Sequence, residues 1–370
     1  MPASRNANRS KRPRARTERS GSSARGDGAH EARRPSRREP PGAIAAPAKP
    51  IAVPRHEGPL PRMRAPVILV TEPDADHALI DSGAGLKLER YGPVTAVRPE
   101  AQAVWPPRLS ESEWSRATAT FTGATDTDDD SETKGRWAFG GDDPGEVWPM
   151  RHDGVDYWGR FTAFRHVGVF PEQAAHWRWM RRAIEVRNGE APVRVLNLFG
   201  YTGVASLVAA QAGAEVVHVD ASRKAIGWAR ENAELAGLAE RPVRWICEDA
   251  MRFVAREGRR GNRYDIVLAD PPKFGRGPNG EVWELFEHLP ALLSGCRAIL
   301  SDRAIGLVLT AYAVRASFYA LHGLMGETMR GMGGTVESGE LLLREEGPDA
   351  RLLPTSLFSR WLGDGVGGAP

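Results

Sequence analysis

From Pro171 to its end the chain alternates short apolar, β-branched runs with helix-length amphipathic stretches, and that alternation leaves few folds open. Strands and helices taken in turn build a parallel sheet flanked by helices, because each crossover must return along a sheet face before the next strand can pair. Pro171 and Glu172 suit the first turn of a helix that runs through Trp177 and Ile184 to a stop at Asn188-Gly189. Residues 193–198 read as a buried strand, 204–211 as a helix, 215–219 as a second strand and 222–235 as a second helix. In that second helix Ile226, Ala229, Ala233 and Ala236 share one face, and Gly237 can close the end. Residues 242–246, 265–269 and 304–310 supply three more strands, and 334–344 with 352–361 form a closing antiparallel pair.

Upstream the pattern differs. Between residues 67 and 164, runs such as Val67-Ile68-Leu69-Val70 and Ala78-Leu79-Ile80 alternate with Gly, Pro and Asp turns, which predicts a small β-rich domain with a solvated acidic loop at Asp126 to Glu132. Residues 1–66 are rich in Arg, Ser, Pro, Gly and Ala and almost without aromatic residues, so they cannot bury enough surface to offset their ordering entropy. They read as a disordered basic tail with 16 Lys/Arg against 5 Asp/Glu, a local +11 that leaves −8 on the rest of a chain of net +3. Such an arm either concentrates the protein on RNA through counterion release or is a solvated extension without a specific partner. Glu18, Asp27, Glu31 and Glu39 interrupt it, against an organellar transit peptide.

No run of 18 apolar residues occurs and the first residues lack the apolar stretch of a secretory signal, so a cytoplasmic protein with no membrane partner is expected. The two cysteines, Cys247 and Cys296, stand far apart with no CxxC and no clustered histidines, which suggests neither a disulfide framework nor a metal site.

Four segments carry chemistry. Asn197-Leu198-Phe199-Gly200-Tyr201-Thr202-Gly203 lies between a strand and a helix, where glycines permit close backbone approach and the helix start offers free N–H groups. Its Gly200-x-x-Gly203 lacks the GxGxxG that seats a dinucleotide pyrophosphate, so a ligand without phosphate fits better and a dehydrogenase is disfavoured. Asp220 ends the second strand some twenty residues on, where an acid can accept from both ribose hydroxyls. Asp249, after the third strand, stands where an adenine amino group needs an acceptor. Asp270-Pro271-Pro272-Lys273-Phe274 follows the fourth strand, its prolines fixing the backbone so that the Asp270 carboxylate can accept base amino protons and the Phe274 ring can stack on the base.

In this order and spacing the segments resemble class I S-adenosylmethionine-dependent RNA methyltransferases, most closely the 23S rRNA methyltransferases with NLFxYTG followed by DPPxF, over residues 165 to 361. The resemblance implies a Rossmann-like, seven-stranded α/β methyltransferase domain at 165–370, with S-adenosyl-L-methionine as cofactor and ribosomal RNA as partner. It also implies cofactor binding by Asn197, Phe199, Gly200, Tyr201, Thr202, Gly203, Asp220 and Asp249. Gln173 joins them from a segment that lies over the cofactor in the family, while Asp270, Pro271, Pro272 and Phe274 face the acceptor base.

Two departures stand out. Relatives that methylate cytosine C5 are expected to carry a cysteine just after the fifth strand, and Leu309 to Arg315 has none, so methyl transfer to a base nitrogen becomes at least as good a reading. No recognisable RNA-binding module precedes the catalytic half, which leaves the β-rich stretch and the basic arm as its only replacements. Methylation of a protein or small molecule, and RNA binding by a degenerate cofactor fold, remain the alternatives.

Overall fold

In a computed structural model of the chain, residues 51–123, 135–141, 145–187, 189, 191–312, 314 and 316–364 are described. Most of the expected basic tail (1–50) and the acidic stretch 126–132 lie outside them. The chain enters as β1 (Arg62–Thr71). It continues through β2 (His77–Gly83), β3 (Leu86–Tyr91), β4 (Val94–Pro99), the single-turn α1 (Glu111–Trp114), β5 (Ala119–Gly123) and β6 (Gly135–Phe139). The order β2-β3-β4-β5-β6 makes a five-stranded sheet, antiparallel except where β4 meets β5. A hairpin of β7 (Val147–His152) and β8 (Val155–Arg160) follows.

The second half of the chain begins with a 3-10 turn at Pro171–Gln173 that feeds α2 (Ala174–Arg187), with proline at the first helical position as expected. Then come β9 (Arg194–Leu198), α3 (Val204–Gln211), β10 (Glu215–Asp220), α4 (Arg223–Leu235) and β11 (Val243–Cys247). After these come α5 (Ala250–Arg260), β12 (Ile266–Ala269), a hairpin of β13 (Phe274–Arg276) and β14 (Val282–Glu284), α6 (Leu285–Ala298) and β15 (Gly306–Tyr312). The chain closes with α7 (Phe318–Thr328), β16 (Thr335–Arg344) and β17 (Leu352–Leu362).

The main sheet runs β1-β16-β17-β15-β12-β9-β10-β11. Its five central and distal strands pair in parallel, while β17 runs antiparallel to both β15 and β16, the expected closing arrangement. The sheet has eight strands rather than seven, because β1 pairs in parallel with β16 from Arg62 opposite Thr335 to Thr71 opposite Leu343. Residues 62–66, expected in the tail, and 67–71, expected in the small domain, therefore belong to the large sheet. The physical reason is that an edge strand's register depends on a partner some 270 residues away.

Both sheet faces are covered, which is why the central strands read as continuous apolar runs rather than as an alternation. Val195, Ile266 and Val308 point toward Trp177, Met180 and Leu207 of α2 and α3 on one face. Leu196, Val267 and Leu307 point toward Phe253, Leu292 and Met325 of α5, α6 and α7 on the other. Tyr91, Ala96, Trp148 and Tyr157 of the β-rich stretch pack into the first of these clusters, so the core is continuous across the expected boundary at residue 164.

Candidate active site

The carboxyl ends of β9, β10 and β12 open into one cleft of about 410 Å³, the place where open α/β sheets bind ligands. Its floor is the loop after β9. Phe199 and Tyr201 there take left-handed backbone angles, φ +56° and +51°, which side-chain-bearing residues adopt only when their surroundings hold them. Those surroundings are specific. The Gly200 N–H donates to the Val219 carbonyl at 3.1 Å and the Gly203 N–H to the Gly200 carbonyl at 3.0 Å. The Tyr201 N–H donates to Asp220 Oδ2 at 2.9 Å.

Beneath the loop lies a buried polar stack. The Asn197 amide donates to Ser206 Oγ at 2.9 Å, and Ser206 Oγ lies 3.0 Å from His218 Nδ1. Burial drives the His218 pKa down to about 3, so the ring is neutral and can accept from the serine. A Cβ on Gly200 would stand 2.4 Å from His218 Cε1, and one on Gly203, at φ +82°, 2.9 Å from the Ala229 Cβ. The glycines thus let the loop settle onto the sheet, not only near a ligand. Thr202 turns inward, its hydroxyl donating to the Gly168 carbonyl at 2.6 Å, and Asn232 of α4 donates to the Thr202 carbonyl at 2.8 Å. Gly203, as the cap residue of α3, is buried and does not line the cleft.

Asp220 does. Each of its oxygens accepts one backbone N–H, from Tyr201 and, at 2.8 Å, from Ser222, while Ser222 itself caps α4. Burial raises its pKa and the two backbone bonds pull it back. Asp249 also borders the cleft, yet its Oδ1 caps α5 by accepting from the Arg252 N–H at 2.9 Å. The neighbouring Glu248 is paired with Arg256 at 2.6 Å.

Asp270 lies across the cleft from Asp220, at the end of β12. Gln173 Nε2 donates to its Oδ2 at 3.1 Å, and Thr310 Oγ1 of β15 donates to Gln173 Oε1 at 3.1 Å. Both ends of the Gln173 amide are therefore engaged, and the side chain expected on the cofactor also holds Asp270. Burial, reinforced by the Glu172 carboxyl and only partly offset by Gln173, pushes the Asp270 pKa up to about 8. Glu172 is itself raised by burial and moderated by Lys87 and Arg98 of the β-rich sheet.

Pro271 and Pro272 stiffen the wall after Asp270, and the Pro272 carbonyl accepts from Trp283 Nε1 at 2.7 Å. Trp283 also meets Phe199 with ring centroids 5.1 Å apart. Phe274 departs from expectation. In the β13–β14 hairpin Gly275 and Trp283 form the inward pair, so Phe274 falls on the opposite face, 38% exposed and outside the cleft lining. Trp283 escaped the sequence reading, although Asn279-Gly280 between two short runs is a hairpin signal that could have found it. Tyr312, which also borders the cleft, lies two residues beyond the expected end of its strand.

Neither cysteine serves this cleft. Cys296 is buried within α6, where burial pushes its thiol up to about 12, and Cys247 donates to the Ala221 carbonyl at 3.5 Å. Among the described residues, no three His, Cys, Asp or Glu side chains gather as a metal site, and no helix is long and apolar enough to cross a membrane.

Residues 128–317 match the family model of S-adenosylmethionine-dependent methyltransferases. The chain belongs to that family. The crystal structure of the SAM-dependent methyltransferase from Agrobacterium tumefaciens is 60% identical, covers 84% of this chain and 97% of its own, and superposes with a TM-score of 0.79. A crystal structure of a protein complexed with SAH shares the fold at 17% identity and a TM-score of 0.57, covering 78% of this chain and 76% of its own. Ribosomal RNA large subunit methyltransferase I of Aeromonas salmonicida is 34% identical over 137 residues, 37% of this chain and 32% of the relative. The chain thus spans about a third of the length of the curated relatives it matches.

The cleft fits the cofactor of this methyltransferase. Asp220 is a carboxylate held by backbone donors that use one acceptor position on each oxygen, so acceptor capacity remains for ribose hydroxyls. Phe199 and Tyr201 contribute ring surface on the same floor, and Asp249 keeps a second oxygen beyond its capping bond.

Proposed function

We propose that this methyltransferase modifies a nitrogen of an RNA base, with the 23S RNA of the large ribosomal subunit as substrate, in the cytoplasm. One observation carries the reading: Asp220 and Asp270, which end strands on either side of β9, open into the same cleft. Asp220, with Asn197, Phe199, Gly200, Tyr201, Thr202, Gly203 and Asp249 forming or supporting the floor around it, holds the donor. Asp270, framed by Pro271 and Pro272, receives the acceptor. Bound S-adenosylmethionine supplies an electrophilic methyl group.

The chain's own work is then positioning and proton handling. The base nitrogen forms the new N–C bond as the C–S bond breaks, and Asp270 accepts the proton the nitrogen gives up. Covalent activation of a pyrimidine ring would need a thiolate, and no cysteine lines the cleft. Support for RNA comes from the ribosomal RNA methyltransferases that match part of the chain, and from the strongly basic residues 1–66.

The test is transfer of labelled methyl from S-adenosylmethionine to ribosomal RNA from cells lacking this protein, followed by nucleoside identification. An N-methylated nucleoside in 23S RNA is expected. Label appearing only in protein, or as C5-methylcytidine, overturns the reading.

A further inference from the structure

Asp270 can serve an acceptor base only if its carboxyl holds one orientation, and neither proline beside it constrains the side chain. What constrains it comes from two elements that precede and follow β12 in the chain. Gln173 sits on the 3-10 turn before α2 and is 8% exposed; Thr310 lies inside β15, the strand next to β12, and is 2% exposed. The two 3.1 Å bonds form a directed chain, hydroxyl to amide oxygen and amide N–H to carboxylate. An amide has an acceptor at one end and a donor at the other, so an ionised Asp270, which can only accept, turns Nε2 toward itself and leaves Oε1 for the Thr310 hydroxyl, which donates. A reversed amide would set its oxygen against a carboxylate oxygen, which only a protonated Asp270 could tolerate.

We infer that Gln173 and Thr310 are positioning residues for methyl transfer: together they pin Oδ2 of Asp270 and leave Oδ1 for the acceptor base. This rests on the reading of Asp270 as the proton acceptor. It gives Gln173 a role besides any cofactor contact, since one N–H of its amide and one acceptor position on Oε1 are engaged. The arrangement also bears on protonation. Glu172, one residue before Gln173, adds charge that opposes ionisation of Asp270, and the Gln173 bond acts against it. The other ionisable groups bordering the cleft are Lys273 and Arg276 after Asp270, Tyr201 and Asp220 of the floor, Glu248 and Asp249 after β11, and His166 and Tyr312.

The experiment is steady-state kinetics of the full chain on ribosomal RNA from pH 6 to 10, with thermal melts and S-adenosylmethionine titration as folding controls. Gln173→Leu should lower kcat roughly 10- to 100-fold, about the weight of one charge-assisted hydrogen bond, with KM for S-adenosylmethionine held within about twofold. It should also move the rising limb of the pH profile upward, because the bond that favours the ionised carboxyl is gone. Gln173→Glu should move that limb further still. Thr310→Val should show a weaker form of the same defect, and Thr310→Ser should restore it. A raised KM for the cofactor with kcat and pH limb unmoved overturns the inference and returns Gln173 to the cofactor. So does a lower kcat with an unmoved limb, which marks a structural role. Asp270→Asn separates the levels: if it is fully active the functional reading itself fails, and if it is inactive while the Gln173 variants behave as the parent, only this inference fails.

Discussion

Asp220 and Asp270 end strands on either side of β9 and border one cleft, yet the molecule treats them differently. Asp220 is held by two backbone N–H groups, one from each flanking turn, and these donors cannot rotate away. Asp270 is held by one side-chain amide that is itself held by a hydroxyl, with a second buried carboxyl nearby. Fixed backbone donors suit a carboxylate that grips a ligand by its hydroxyls. A lone amide donor beside a like charge suits a carboxyl whose proton comes and goes near neutral pH. The two residue types are identical, so the proposed division between gripping and proton handling rests on their neighbours.

The largest effect expected to test that division is Asp270→Asn. It should lower kcat roughly 100- to 10,000-fold, the usual weight of a general base, while calorimetry shows S-adenosylmethionine affinity unchanged. Asp220→Ala should do the reverse, weakening cofactor affinity roughly 10- to 150-fold, the loss of one charge-assisted hydrogen bond at about 1.5–3 kcal/mol. If the two variants share a phenotype, the contrast is gone. Gly200→Ala tests the floor beneath both: its methyl would stand 2.4 Å from the buried His218 ring, so it should cost about 1–3 kcal/mol in a denaturation series and weaken cofactor binding as the loop lifts.

The pH dependence sharpens the comparison. With the Asp270 carboxyl at about 8, kcat/KM should rise roughly tenfold per pH unit up to that value and then level. Stability runs the other way. The folded-state value lies above the unfolded one, so the stability this group contributes is complete below pH 3.8 and is lost progressively as pH rises to about 8. Asp270→Asn, neutral throughout, should therefore melt about 2–5 °C higher than the parent at pH 8, the smallest of these effects and one that a melting curve resolves.

How much was legible beforehand depended on how local each determinant is. β9, α3, β10 and α4 fall within a residue or so of their expected bounds, because each is marked by its own apolar period and by a cap such as Ser222 or a turn such as Gly237. Asp220 and Asp270 were readable as cleft residues because strand ends set their height. Phe274 was not, since its side is decided by a hairpin that turns Gly275 and Trp283 inward and Phe274 outward. Gln173 was placed in the right neighbourhood, but its bonds to Asp270 and Thr310 could not be read, because those residues lie about 100 and 140 positions downstream and only the sheet brings them together. Asp249 illustrates a third case, in which a helix start and a ligand compete for one carboxylate.

The pairing of Arg62–Thr71 with the far margin of the sheet has a practical consequence for dissecting the basic arm. Scissors placed after residue 66 would unzip the rungs at Arg62, Met63 and Arg64, and expose the Thr335 side of β16 to whatever strand it next meets. A truncation that halts at residue 50 keeps that seam closed, so a drop in salt-sensitive RNA affinity can be charged to the arm rather than to a frayed border.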